Sequence, residues 1–155
     1  MSSGYHDDGR RIMGWWGPYQ VRRFRPRHVA ALAQRGLDIF VPQVGPGRHV
    51  GFTIFKGKEA VACIGFRHKW GRVCEGWVLT SNLVVQCPKL LHKLTLHGLE
   101  WMERRRGVNR TGARVLVDFT TAQEWALRLG FTFEGLEPRG GPNGEDFFKY
   151  GRLAK

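Results

Sequence analysis

The chain is poor in acid. Its 155 residues carry 13 Asp and Glu against 25 Lys and Arg, a formal charge of +12. Such a balance implies attraction to something anionic: nucleic acid, an acidic protein surface or a phosphate-bearing cofactor. Long apolar runs are missing too. No stretch of about 18 apolar residues exists, so no membrane helix is expected, and the opening MSSGYHDDGRR lacks the apolar core of a secretory signal. Cysteine is scarce. Cys63, Cys74 and Cys87 have no CxxC spacing, which argues against a disulfide framework and for free, buried thiols in a reducing compartment. The catalytic and metal patterns HExxH, GxSxG, the P-loop and HxE with PCxxC are all absent, and no metal site is expected.

The charge that is present is unevenly placed. Residues 1–115 hold 20 of the 25 basic and 7 of the 13 acidic residues, while 116–155 are near neutral. At 42% hydrophobic, with six Trp and ten Phe, the chain can bury a core. The expected division is an N-terminal arm over 1–20 and one domain over 21–155. Trp15 and Trp16 lie in the arm, suited to packing on the domain or anchoring a partner.

The stretch from Val115 to Leu153 is the most informative. Val115, Leu116, Val117 and Phe119 read as a buried strand. Thr120 or Thr121 can cap a helix whose Ala122, Trp125, Ala126 and Leu129 share one face. Gly130 ends it. Phe131 and Phe133 start a second strand, Gly140 to Gly144 form a loop, and Phe147 to Leu153 return as a third.

Upstream, Val21 to Phe24 forms a first strand, and Pro26 opens a helix from about Arg27 to Arg35, closed by Gly36. Residues 37–48 read as loop. GFTIF and AVACIGF flank Lys56-Gly57-Lys58 as a hairpin, and RVCEGWVLTS is the next strand. A helix from about Pro88 to Arg106 buries Leu90, Leu91, Leu94, Gly98, Trp101 and Met102. Lys89, Lys93 and His97 line another face, and Arg104, Arg105 and Arg106 cluster at its end, where cations suit the helix dipole. With Arg22, Arg23, Arg25 and Arg27, and with Trp15 and Trp16, these cations are the candidate contacts for a phosphate or a protein partner.

The order strand, helix, Leu-Gly-Phe, strand, glycine loop, strand resembles the C-terminal half of the GNAT acetyltransferase fold. The resemblance implies an α/β (α+β) domain with a central mixed, mostly antiparallel sheet flanked by helices. It also implies an acetyl-CoA site whose pyrophosphate lies at the start of the central helix, cradled by a glycine-rich loop. Here 82–89 contain no glycine, and Pro88 lacks an N–H. If acetyl-CoA binds, the loop residues are Val84, Val85, Gln86, Cys87 and Lys89. Many family members place an acidic Tyr four residues before the glycine of Leu-Gly-Phe; Ala126 stands there. Glu75, on the fourth strand, is a weak candidate for the catalytic base.

CEGWVLTSN running into a basic helix without a glycine loop, followed by the C-terminal unit, also resembles the small internal virion proteins of short-tailed bacteriophages. That resemblance implies a non-catalytic virion or assembly protein, made in the host cytoplasm and carried in the capsid interior or portal and tail region. Its partners would be other virion proteins, with nonspecific contact to packaged DNA and none to membrane. No cofactor is expected under this first reading, which leans away from an enzyme and predicts a blocked coenzyme cleft. The alternative is an acetyl-CoA-dependent N-acetyltransferase with a divergent coenzyme loop. It predicts an open V between the fourth and fifth strands, with free N–H groups near Val84 to Lys89.

Overall fold

A computed structural model describes residues 12–33 and 48–155. Expectations about residues 1–11, about Gln34 to Gly36 and about most of the 37–48 loop lie outside the described residues. Eight strands form one sheet: β1 (Gly14–Trp16), β2 (Tyr19–Arg23), β3 (His49–Lys56), β4 (Glu59–Trp70), β5 (Val73–Thr80), β6 (Arg110–Leu116), β7 (Thr132–Glu137) and β8 (Phe147–Leu153). Their order across the sheet is β1-β2-β3-β4-β5-β6-β8-β7. Every neighbouring pair is antiparallel except β5 with β6, which is parallel. This is the mixed, mostly antiparallel sheet flanked by helices that the sequence led us to expect.

The expected arm contributes to the sheet from Gly14 onward, because β1 pairs with β2 across Trp15↔Gln20 and Trp16↔Tyr19. Trp16 is tied down by its indole N–H, which donates to the Ile12 carbonyl at 2.8 Å. The hairpin at Lys56-Gly57-Lys58 forms as expected. Gly57 sits at φ 62°, in the left-handed region that favours a residue without a Cβ.

Helix α1 (Arg27–Ala33) covers one face of the sheet. There Phe24, Leu32, Phe55, Cys63, Trp77 and Leu79 form a closed core. Helices α2 (Pro88–Arg105) and α3 (Thr120–Arg128) belong to the larger core on the other face, with Phe52, Ile64, Phe66, Leu94, Leu99 and Phe131. Strand alternation sends neighbours to opposite sides: Cys63 joins the α1 core, while Ala62 and Ile64 join the other.

Two boundaries differ from expectation for physical reasons. The strand expected over Val115–Phe119 is β6, Arg110–Leu116. Its polar start is held by partners, since Arg110–Leu116 pairs with β8 along its whole length. Helix α3 is not capped by a threonine. Phe119 occupies the cap position without a side-chain bond, and Gln123 Nε2 instead donates to the carbonyls of Leu116 and Val117 at 3.1 and 2.7 Å.

At the end of the α2–α3 layer, one guanidinium joins three elements. Arg152 of β8 donates through Nε to Glu103 of α2 at 2.9 Å, and through Nη1 to the Leu129 carbonyl at the end of α3. The Arg152–Glu103 pair is about nine-tenths buried, with side-chain exposures of 11% and 10%.

Candidate active site

The site is made by two strands that part. β5 and β6 are paired only over Val73–Glu75 and Arg110–Gly112. Beyond that fork, β5 remains bonded to β4 and β6 to β8, so the edges that face each other are left without a strand partner. Between them lies an open cleft of about 660 Å³, walled by Gly76, Val78, Ala113, Val115, Trp125 and Ala126 among others.

The connection between β5 and α2 lines the cleft with Val84, Val85, Pro88 and Lys89. Asn82–Gln86 is a 3₁₀ turn capped by Ser81, whose hydroxyl accepts from the Leu83 N–H. The Val84 N–H donates to Ser81 O and the Cys87 N–H to Val84 O. Leu91 N–H is taken by Cys87 O, and Pro88 occupies the first helical position. The backbone donors expected near Val84 to Lys89 are therefore largely spent on the turn itself. Those of Lys89 and Leu90, in the open first turn of an 18-residue helix, remain for an outside acceptor. The glycine-free sequence has this physical result: a tight self-bonded turn in place of a cradle.

Of the candidate loop residues, Val85 is 77% exposed. Val84, Val85 and Lys89 line the cleft. Gln86 is exposed and accepts from Lys56 Nζ at 2.9 Å. Cys87 is buried, and burial pushes its thiol pKa up. All three cysteines are free and buried, as expected.

Glu75 stands on the last paired rung, opposite Gly112. Arg67 Nη2 lies 3.3 Å from its Oε1 and Lys69 Nζ 3.6 Å from its Oε2. It lines a second, smaller cavity of about 170 Å³ on the far side of the fork, which shares Ala113 and Arg114 with the cleft. Ala126, where the family's tyrosine was sought, is buried against the cleft and has no proton to give.

The cationic candidates do not come together. Arg22, Arg23, Arg25 and Arg27 are exposed on β2, α1 and the segment between them. Arg22 packs its guanidinium 4.7 Å from the Phe55 ring, on the α1 face. Lys89, Lys93, Arg104, Arg105 and Arg106 are exposed along α2 and just past its end, on the other face. Lys93 lies 5.0 Å from the ring of Trp16, so this pair of candidates does meet, while Trp15 is half-buried in β1. Among the described residues, no three His, Cys, Asp or Glu side chains gather as a metal site would need, and no helix is long and apolar enough to cross a membrane.

Two cleft residues were not singled out from sequence. His92 and Thr95 project from α2, and the Trp125 indole N–H donates to His92 Nδ1 at 3.1 Å. That bond leaves the proton of a neutral His92 on Nε2. The Thr95 hydroxyl is buried and has no hydrogen-bond partner. The signal was their i, i+3 spacing on the flank of the Leu91–Leu94 stripe, one helical step from Lys89.

A sheet parted in this way, with two helices beneath the gap and an unpaired edge on each arm, defines the fold of GNAT acetyltransferases. Solved structures agree. Ribosomal-protein-S5-alanine acetyltransferase from Vibrio fischeri superposes with a TM-score of 0.67 at 12% identity, covering 90% of this chain and 94% of that one. A mutant spermidine N-acetyltransferase from Vibrio cholerae gives 0.67 at 12%, covering 89% and 95%. A GNAT-family acetyltransferase from Streptococcus pneumoniae gives 0.66 at 14%, covering 88% and 99%. No protein-family model matches the sequence, and no curated protein does.

These findings correct the reading as a non-catalytic bacteriophage virion protein. It predicted a blocked cleft, and the cleft is open. The solved structures that share the fold are acetyltransferases, and nothing in them supports a phage resemblance or a place in a virion.

Proposed function

We propose that the protein is an N-acetyltransferase of the GNAT type, taking its acyl group from a coenzyme A thioester such as acetyl-CoA through a divergent coenzyme loop. The observation that carries this reading is the fork. Beyond Glu75 and Gly112, two strand edges face each other without a partner. Unpaired backbone N–H and C=O groups are costly to bury unless something bonds to them. An extended chain with amides, as the pantetheine arm has, would bond to both edges. The apolar walls of the cleft would cover its methylenes.

The phosphate end fits by different means from the family pattern. A glycine cradle is missing, but the N–H groups of Lys89 and Leu90 remain at the positive end of α2. The side chain of Lys89, at that same end, lines the cleft. Cationic side chains can hold phosphate where backbone donors are few. Bound there, the coenzyme supplies a thioester activated toward attack by an amine. The chain's part is to hold the amine at the fork and manage its proton. Glu75, on the last paired rung and lining the smaller cavity beside the fork, is the group to accept that proton, its carboxylate positioned by Arg67 and Lys69.

Calorimetry with acetyl-CoA, in low and moderate salt, tests the reading. The expected result is micromolar binding that survives moderate salt and weakens by roughly tenfold or more in Val85→Glu, which sets a carboxylate beside the phosphates. Binding that vanishes with salt, or is indifferent to Val85→Glu, would sink it.

A further inference from the structure

The cleft does not stop at the strand edges. It runs past β5 beneath the sheet, where Ile64 and Phe66 of β4 line it from above. Leu91 and Leu99 of α2 wall one side, and Leu129 and Phe131 the other. These six side chains are each at most 8% exposed, so this is a chamber inside the core. Its opening lies at the fork. Phe66 pairs directly with Gly76, and Gly76 follows Glu75, the last rung of β5 bonded to β6. Gly76 has no side chain to close the passage. A Cβ there would meet Thr111 at 3.4 Å and Phe66 at 3.7 Å, ordinary contacts, so an added side chain would start between these two residues. Thr95, 4% exposed, also lines this space, with its hydroxyl buried and without a hydrogen-bond partner.

We propose that the acyl donor carries a chain longer than acetyl, which turns beneath the sheet at Gly76 and fills this chamber. The inference rests on the acyl-transfer reading and names its substrate class: coenzyme A thioesters of medium-length, unbranched fatty acids. An acetyl group ends at the fork and leaves the chamber empty. Apolar cavities of this kind stay dry and gain from an apolar occupant, and each buried methylene adds to affinity. The reaction balances as ordinary acyl transfer. The amine nitrogen forms a bond to the carbonyl carbon, the carbon–sulfur bond breaks, the amine gives up a proton, and the departing thiolate takes one.

The test is a calorimetric series on the full chain with coenzyme A, acetyl-CoA, butyryl-CoA and hexanoyl-CoA at one salt concentration. The charged part of the ligand is constant, so the series reads the chain alone. Hexanoyl-CoA is expected to bind roughly tenfold or more tighter than acetyl-CoA. Gly76→Val, which places a β-branched side chain in the passage, is expected to erase that ratio. Equal affinity for acetyl and hexanoyl donors overturns the proposal and leaves the transferase reading standing. A gradient that survives Gly76→Val puts the chain elsewhere and also overturns it. Binding of none of the four ligands overturns the transferase reading itself, and this inference with it. The wild-type series decides without the variant, should the variant fail to fold.

Discussion

On the α1 face of the sheet, His28, Thr53 and Cys63 are buried and bonded in a chain. His28 Nδ1 accepts from the Arg25 N–H at 3.1 Å and from the Thr53 hydroxyl at 2.7 Å, and Thr53 Oγ1 lies 3.5 Å from Cys63 Sγ. On the α2 face, Thr95 is as deeply buried, and its hydroxyl bonds to nothing. Both faces bury threonine. One bonds its threonine between His28 and Cys63; the other leaves its threonine hydroxyl unpaired. Buried polar atoms in a core are normally paired, so the unpaired Thr95 hydroxyl carries a desolvation cost that Thr53 does not. The Cys63 thiol on this face is no nucleophile at neutral pH, because burial pushes it up to about 11.

Substitutions should therefore act with different size, and even different sign, on the two faces. Leu32→Ala, at a fully buried position of the α1 core, should cost about 2–5 kcal/mol in denaturant unfolding. A value under about 1 kcal/mol would mean that α1 is loosely docked and that the two faces are less unlike than they look. Thr53→Val removes the middle of the polar chain and should cost about 1–3 kcal/mol, because the Cys63 S–H and one bond to His28 are left unmade. Thr95→Val, the matching change on the open face, should be neutral or stabilise by up to about 1 kcal/mol, since no bond is lost and an unpaired hydroxyl leaves the core. A loss there comparable to that of Thr53→Val would erase the contrast.

The closed face should also respond to acid. Burial, and then the nearby Arg27, Arg22 and Arg25, hold His28 below the ordinary histidine value. Its neutral form, with Nδ1 as acceptor, is the one that fits. Above about pH 6.5 the unfolded chain's histidine is also neutral, and the full stability is present. As pH falls through about 6.5, the unfolded chain binds a proton that the native chain resists, and stability is lost down to the lower native value. Urea unfolding from pH 7.5 to 5 should show this slope, and His28→Asn should flatten it. His97, also lowered chiefly by burial, contributes a remaining slope of the same sign in both proteins.

Much of this architecture could be read from residue patterns. The Gly57 hairpin, the 3.6-residue stripe of α2, and the helix that stops at Gly130 before Phe131 all follow from local chemistry, and each formed where expected. β6 began earlier than its apolar run because Arg110, Thr111 and Gly112 are strand only through pairing with β5 and β8, a tertiary cause. The absence of glycine between β5 and α2 was visible. That it yields a self-bonded turn while the cleft stays open was not, since openness depends on where two distant strands part. His92 and Thr95 were hidden by their neighbours: on a helix so rich in leucine and lysine, only packing decides which flank faces a cavity.

The Arg152 bond to Glu103 and to the Leu129 carbonyl has a mechanical consequence. It fastens α2 and α3 together at their C-terminal ends, while their N-terminal ends flank the mouth of the cleft at Lys89 and Thr121. The two helices are thus braced twice: at this end by the Arg152 guanidinium, and nearer the α2 N-terminus by the Trp125 indole N–H, which donates to His92 Nδ1 at 3.1 Å. A ligand entering the cleft therefore meets one braced wall rather than two separate helices, and removing the guanidinium would leave the single Trp125–His92 bond to hold them in line.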